Sequence, residues 1–264
     1  MRLNVVRANP AGNITLFVLD PVDKEQRGAL AARLMALPGS DVEQVGFVCP
    51  PLQGGMARME MAGGEFCGNA SRAFGMLTAR ERGGLSQVRV EVSGCEHPVT
   101  VDVDWAAGTA QTQMPLPRSV RRETVDGCPC VLVDLGGIAH LVAEDIAPGL
   151  DFFRRSEPLL AGIPGLDAYG VIFLDSQKGT MTPLVKVPDA GSLVWEGSCG
   201  SGSLAAALAQ SQSAPDGPFV RDYIQPAGVV QAAVVRRDQR VTAAYIGGAA
   251  SVDQPAAIPL SSLQ

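Results

Sequence analysis

Two stretches, "GGEFCGNASRAFG" (63–75) and "EGSCGSGSLAAAL" (196–208), follow one local plan: cysteine, glycine, a small polar residue, then an alanine-rich run. Cys67 and Cys199 stand 132 positions apart in a chain of 264, so each half carries one copy. In the first copy Ala70, Ala73, Phe74 and Leu77 fall at i, i+3, i+4 and i+7, one face of a helix. Gly83–Gly84 supplies its stop. In the second copy residues 202–212 form a helix of small side chains, as expected where strands pack closely around it. Each cysteine therefore sits where a loop turns into a buried helix.

Strand-like runs surround both helices. They lie at 2–8, 13–19, 43–48, 57–62, 88–93, 97–105 and 109–115, then at 130–135, 168–174, 182–187, 228–235 and 240–247. Val99, Val101 and Val103 alternate with Thr100, Asp102 and Asp104, the period of a half-buried antiparallel strand. One further helix is predicted from Asp23, a candidate N-cap with Gln26 three residues on, to Pro38–Gly39. "MPLPRSVRR" (114–122) interrupts the strands with two prolines and a basic cluster. The expected fold is α+β: two pseudo-symmetric domains, 1–116 with Cys67 and 117–264 with Cys199, each a mostly antiparallel sheet wrapped around a central helix.

Composition narrows the function. A net charge of −6 with no basic stripe argues against a nucleic-acid partner. No apolar run reaches the ~20 residues of a bilayer span, and "MRLNVVRANPAGN" lacks the apolar core of a secretory signal. The expected setting is the cytoplasm, with no membrane partner. There a disulfide framework is not expected from the six cysteines. Cys128-Pro-Cys130 lacks the spacer and the second pair of a zinc knuckle, so no metal is expected. Cys49, Cys95, Cys128 and Cys130 read as inert small hydrophobes.

Cys67 and Cys199 read differently. The first turn of a helix leaves N–H groups unpaired at its positive end. A thiol there is expected to ionise below the ordinary ~8.5. Gly68 and Gly200 let backbone approach a bound anion. Two such helix starts facing one ligand suit a carboxylate, with Asn69 and Ser201 adding donors. One thiolate can then remove the proton beside the carboxylate while the opposite thiol returns one, inverting the stereocentre. N–H donors would stabilise the developing charge. Glu43, with Gln44, and Glu196, three residues before Cys199, are candidates to bind an ammonium group or tune a thiol. Of the three lysines only Lys186 lies in a strand, which disfavours a pyridoxal Schiff base. His140 reads as a structural hydrogen-bonder, and Trp105 and Trp195 as packing residues.

These residues resemble a known family. "EFCGNASR" is similar to the Cys-Gly-Asn-Gly-x-Arg motif of diaminopimelate epimerases, and "SCGSGSLAA" to their Ala-Cys-Gly-Thr-Gly. "NPAGNITLFVLD" (9–20) resembles their N-terminal strand, which implies substrate contact by Asn13. "EQVGF", "EFCGNA", "VSGC", "WEGSCGSG" and "QPAG", in that order, most resemble the histidine racemases of opine-metallophore (staphylopine-type) biosynthesis. The resemblance implies a two-thiol amino-acid racemase with no cofactor, neither metal nor pyridoxal phosphate. Its partner is a small amino acid, and if the chain assembles, a homodimer is expected. The departures bear on substrate. No arginine follows Glu196, where diaminopimelate epimerases carry a Glu-Arg pair. "LGGIAH" (135–140) stands for their Gly-Asn-Pro-His. Histidine ranks first, another polar amino acid second and diaminopimelate third; a non-catalytic carboxylate-binding module is the alternative of another class.

Overall fold

Val99, Val101 and Val103 are buried and the residues between them are not, as the alternating pattern requires. The computed structural model describes residues 2–189 and 191–259. They form a sheet-rich α+β fold with few helices, in two compact units. No described helix is long and apolar enough to cross a membrane.

The first unit opens with β1 (Arg2–Asn9), β2 (Thr15–Val18), α1 (Lys24–Met35), β3 (Gln44–Cys49) and β4 (Ala57–Met61). It continues with α2 (Gly68–Glu81), β5 (Gln87–Val92), β6 (Val99–Asp104) and β7 (Thr109–Gln113). These seven strands lie in sequence order in one sheet. β2–β3 and β4–β5 run parallel, each joined through a helix, because a parallel pair needs a crossover. The sheet is thus mixed, with antiparallel pairs, four of the six among these strands, predominating as expected.

Side chains alternate between its two faces. Leu3, Val5, Leu16, Val18, Val45 and Phe47 meet Ala31 and Leu34 of α1. Val6, Phe17, Met59, Val90 and Val101 meet Ala70, Ala73, Phe74 and Leu77 of α2. The Phe17 and Phe74 rings pack with centroids 5.5 Å apart. Every residue of α2 from Gly68 to Ala79 is buried, on all faces and not only on the predicted stripe. Gly75 allows this, since a Cβ there would stand 2.4 Å from Val101 Cβ. Asp23 caps α1 without a side-chain hydrogen bond, so the expected capping box does not form.

The second unit begins with β8 (Ser119–Val125), β9 (Cys128–Asp134), β10 (Ile138–Glu144), α3 (Leu150–Ala161), β11 (Ala168–Leu174), β12 (Met181–Val187) and β13 (Ser192–Trp195). The six strands form a sheet in sequence order. Its one parallel pair among the described strands, β10–β11, is bridged by α3. Phe152, Phe153 and Leu160 of α3 pack on Leu132, Leu141, Val171 and Phe173. The sequence reading has no helix here; apolar burial on one side holds α3 despite Pro158 inside it and the N–H lost there. Then come α4 (Gly200–Gln210), β14 (Gly217–Gln225), β15 (Gly228–Arg237) and β16 (Arg240–Gly247). α4 is buried from Gly202 to Ala209 against β9, β10, β14 and β15.

The chain then returns to its beginning. β17 (Ser251–Val252) and β18 (Ala256–Pro259) pair antiparallel with β1, setting Ala8 opposite Val252 and Leu3 opposite Ile258. The units are thus 2–113 with 247–259, and 114–246. The expected second segment runs on to 264, whereas β1 draws the late strands into the first unit to satisfy its free edge. Met1 and residues 260–264, the outer ends of the expected domains, lie outside the described residues.

Candidate active site

In the first unit Cys67 is the N-cap of α2, with an extended backbone (φ −126°, ψ 112°). Its sulfur accepts from the Ala70 N–H at 3.4 Å. The Ser71 hydroxyl donates to the Cys67 carbonyl at 2.7 Å, closing the first turn from outside. In the second unit Cys199 caps α4 in the same way (φ −117°, ψ 106°). Its sulfur accepts from Gly202 N–H at 3.3 Å, and the Ser203 hydroxyl donates to its carbonyl at 2.8 Å. A Cβ on Gly202 would meet the Ile172 side chain at 2.6 Å and the sulfur itself at 3.1 Å, so the glycine lets the helix start close against β11.

Each sulfur has polar neighbours. Around Cys67, Asn13 Nδ2 donates to Glu43 Oε2 at 2.8 Å, and Gln44 Nε2 donates to Asn13 Oδ1 at 2.6 Å and Thr15 Oγ1 at 2.7 Å. The Gln44 amide, its two N–H groups given to Asn13 and Thr15, also bears on the Cys67 thiol, favouring the thiolate. Asn69 is buried, its Oδ1 accepting from Arg72 Nε at 3.2 Å. The first unit thus gathers Asn13, Glu43, Cys67, Gly68 and Asn69. In the second, Glu196 is in hydrogen-bond contact with Cys199. The Ser201 hydroxyl lies 3.5 Å from the Cys199 sulfur and 2.8 Å from His140 Nε2. Glu196, Cys199, Gly200 and Ser201 are therefore gathered as well. Trp195 packs against Phe173 with centroids 6.0 Å apart.

The electrostatics differ from the sequence expectation. Burial pushes the Cys67 thiol up, against the N–H groups of Ala70 and Asn69 and the Gln44 amide, which favour the thiolate. Burial pushes Cys199 higher still, and the nearby Glu196 carboxylate adds to the effect. Desolvation of the anion outweighs the helix-start donors at both positions, so neither thiol is lowered. Burial also holds His140 as a neutral imidazole, down to about 3.

Arg72 and Gln225 escaped the sequence reading, whereas His140, read as a structural hydrogen-bonder, does bond to Ser201. His140 is fully buried on β10, and its Nδ1 has no hydrogen-bond partner among the described residues. Arg72 is fully buried in α2, donating to the carbonyls of Gly248 and Ala249 at 2.9 Å, with Nη2 unpartnered. Burial pulls its guanidinium down to about 10, and the neighbouring Cys67 opposes that. Gln225 accepts the Cys199 N–H at 2.6 Å. The usable signal for Arg72 was an arginine within the otherwise uncharged first three turns of α2. A polar cavity of about 380 Å³ in the first unit, lined by Arg27, Arg58, Glu60, Glu91 and Cys95 among others, includes none of the predicted site residues. Among the described residues no three His, Cys, Asp or Glu side chains gather as ligands of one metal ion.

Relatives of the racemase and epimerase class match this chain. The fold is similar to a structure described as a predicted epimerase from Pseudomonas aeruginosa: TM-score 0.68, 14% identity, covering 97% of this chain and 98% of that one. It is also similar to a hydroxyproline epimerase from Agrobacterium vitis with bound trans-4-hydroxy-L-proline: TM-score 0.63, 12% identity, covering 99% and 94%. In sequence the chain is 34% identical over 215 residues to the histidine racemase of Fusobacterium nucleatum subsp. nucleatum, 77% of this chain and 78% of that one. It is 28% identical over 206 residues to that of Staphylococcus aureus, 74% and 75%. The profile described as "Histidine racemase CntK N-terminal domain" matches residues 2–255. The chain belongs to this histidine racemase family and is an isomerase of the racemase and epimerase class.

Proposed function

We propose that the chain racemises histidine, converting the L to the D enantiomer by a two-thiol mechanism without metal or pyridoxal phosphate. One observation carries the reading: in each unit a cysteine caps a buried helix, with its sulfur held by the N–H of the third helical residue. In the mechanism one sulfur, as thiolate, takes the α-proton. The charge left on the substrate spreads into its carboxylate, which the N–H groups of Gly68, Asn69, Gly200 and Ser201 stabilise. The other sulfur, as thiol, delivers its proton to the opposite face. The two cysteines have then exchanged protonation states, and the reverse reaction begins from there.

Asn13, Glu43 and Glu196 complete the substrate contacts in this reading, the carboxylates facing the ammonium or imidazolium groups. The ranking of histidine first rests on the family and on the missing arginine after Glu196. The product D-histidine would serve an opine-type metallophore, a role supported by the motif resemblance. We also read the units as repeats of one plan. In support, β2–α1–β3 and β10–α3–β11 are both parallel crossovers, and α2 and α4 both begin at a cysteine.

The test is chiral analysis of L-histidine, L-lysine, L-arginine, L-alanine and LL-diaminopimelate, each incubated with the enzyme. Turnover of histidine above the others is expected. Turnover of diaminopimelate with none of histidine would overturn the substrate and leave the chemistry.

A further inference from the structure

The Cys199 N-cap is held by more than its helix. A cap residue's own N–H points away from the helix and, once buried, needs a partner. Here Gln225, at the end of β14 and 26 positions downstream, supplies it: Oε1 accepts the Cys199 N–H at 2.6 Å. The other end of the same amide donates from Nε2 to the Ser203 hydroxyl at 3.0 Å. Ser203 in turn donates that hydroxyl proton to the Cys199 carbonyl at 2.8 Å. The three bonds form a closed circuit in which every donor and acceptor matches: amide N–H to Oε1, Nε2–H to hydroxyl, hydroxyl to carbonyl. All three residues are buried, at 5% exposure or less.

The circuit fixes both peptide groups flanking the Cys199 Cα, and with them the direction of the Cα–Cβ bond. The sulfur then has only its side-chain rotation left, which Gly202 N–H at 3.3 Å sets. The carbonyl half of this device recurs in the first unit as Ser71 on Cys67. The glutamine is used differently there: Gln44 donates to the Asn13 and Thr15 side chains, whereas Gln225 holds the Cys199 backbone.

We infer that Gln225 is a positioning residue for Cys199, aiming the thiol through the Gln225–Ser203–Cys199 circuit. The inference rests on the proposed role of Cys199 in proton transfer. Misplacing a reacting group by about 1 Å can slow a reaction about a hundredfold.

The test uses the full-length enzyme and histidine, assayed in both directions, with cysteine-resolved iodoacetamide labelling read by mass spectrometry. Gln225→Met removes the circuit at similar volume. It is expected to lower kcat about 10- to 100-fold with little change in KM. The Cys199 labelling rate is expected to rise about threefold or more as the cap loosens, while Cys67 labels as before. Gln225→Glu keeps an acceptor for the Cys199 N–H and should recover part of kcat. Its rate profile should shift to higher pH, because the added negative charge opposes the thiolate. A Gln225→Met enzyme with parent kcat and parent labelling overturns the inference, and so does a change of both thiols alike, which is general loosening. If Gln225→Met does not accumulate folded, Ser203→Ala decides in the same terms. Cys199→Ala separates the two readings. If it is active, both fall; if it is inactive while Gln225→Met runs at the parent rate, only this inference falls.

Discussion

The Ser201 hydroxyl bridges a buried imidazole and a thiol, 2.8 Å from His140 Nε2 and 3.5 Å from the Cys199 sulfur. With the ring proton on Nε2, His140 donates to Ser201 and the hydroxyl proton points to the sulfur. With it on Nδ1, Ser201 donates to the ring and turns a lone pair to the sulfur. The first arrangement suits a thiolate and the second a thiol, the two states that the proposed mechanism asks of Cys199.

That neutrality has a thermodynamic signature. The folded value of about 3 lies below the ordinary 6.5, so between them the unfolded chain binds a proton that the folded chain does not. Stability contributed by His140 is therefore present above pH 6.5 and lost as pH falls toward 3, by up to about 1.4 kcal/mol per pH unit. Urea unfolding of the parent and of His140→Gln between pH 7 and 4 checks this. The parent should lose stability more steeply, and parallel curves would contradict it.

Both thiols are pushed up by burial, so the thiolate is the scarce form at neutral pH. Log kcat/KM for histidine should rise with a slope near +1 from about pH 7 to about pH 9. A profile already flat at pH 7 would mean that substrate binding, or a change on closure, lowers one thiol far below its value in the free enzyme.

Cys67→Ala and Cys199→Ala should each lower racemisation at least about a thousandfold, with the fold retained by circular dichroism. In heavy water the parent's early product should carry deuterium at Cα while recovered substrate stays protonated, as the proposed mechanism with two different sulfurs requires. Equal early labelling of both enantiomers points to one shared base.

Two helix glycines, Gly75 in the middle of α2 and Gly202 in the first turn of α4, should separate stability from activity. Gly75→Ala drives a methyl into the Val101 Cβ at 2.4 Å, a rigid strand position, and should destabilise by about 1–3 kcal/mol. Gly202→Ala meets the movable end of Ile172 at 2.6 Å and the Cys199 sulfur at 3.1 Å. It should lose less stability and more kcat. Thermal denaturation beside steady-state assays measures both.

Much of the site could be read from sequence because local rules place it. A cysteine before glycine and an alanine-rich run can only be a helix start, and both Cys67 and Cys199 are N-caps. The strand count near Val99–Val103 follows from alternation. What stayed hidden depends on long-range packing. Gln225 meets Cys199 across 26 positions, and Arg72 finds its acceptors at Gly248 and Ala249. α3 was not read from the sequence, and what holds it is the burial of Phe152, Phe153 and Leu160, which depends on the packed sheet. The ionisation of the thiols was misread for a related reason. Helix-start donors are visible in sequence, whereas the desolvation that outweighs them is a property of the folded interior.

The pairing of β18 with β1 also sets an order of events during synthesis. The strand that covers β1 leaves the ribosome only after the whole of the second unit has been made. Until then the nascent first unit carries an open sheet edge, exposed to pairing with neighbouring chains on the same messenger. The second unit is continuous in the chain, whereas the first is completed last although it is begun first.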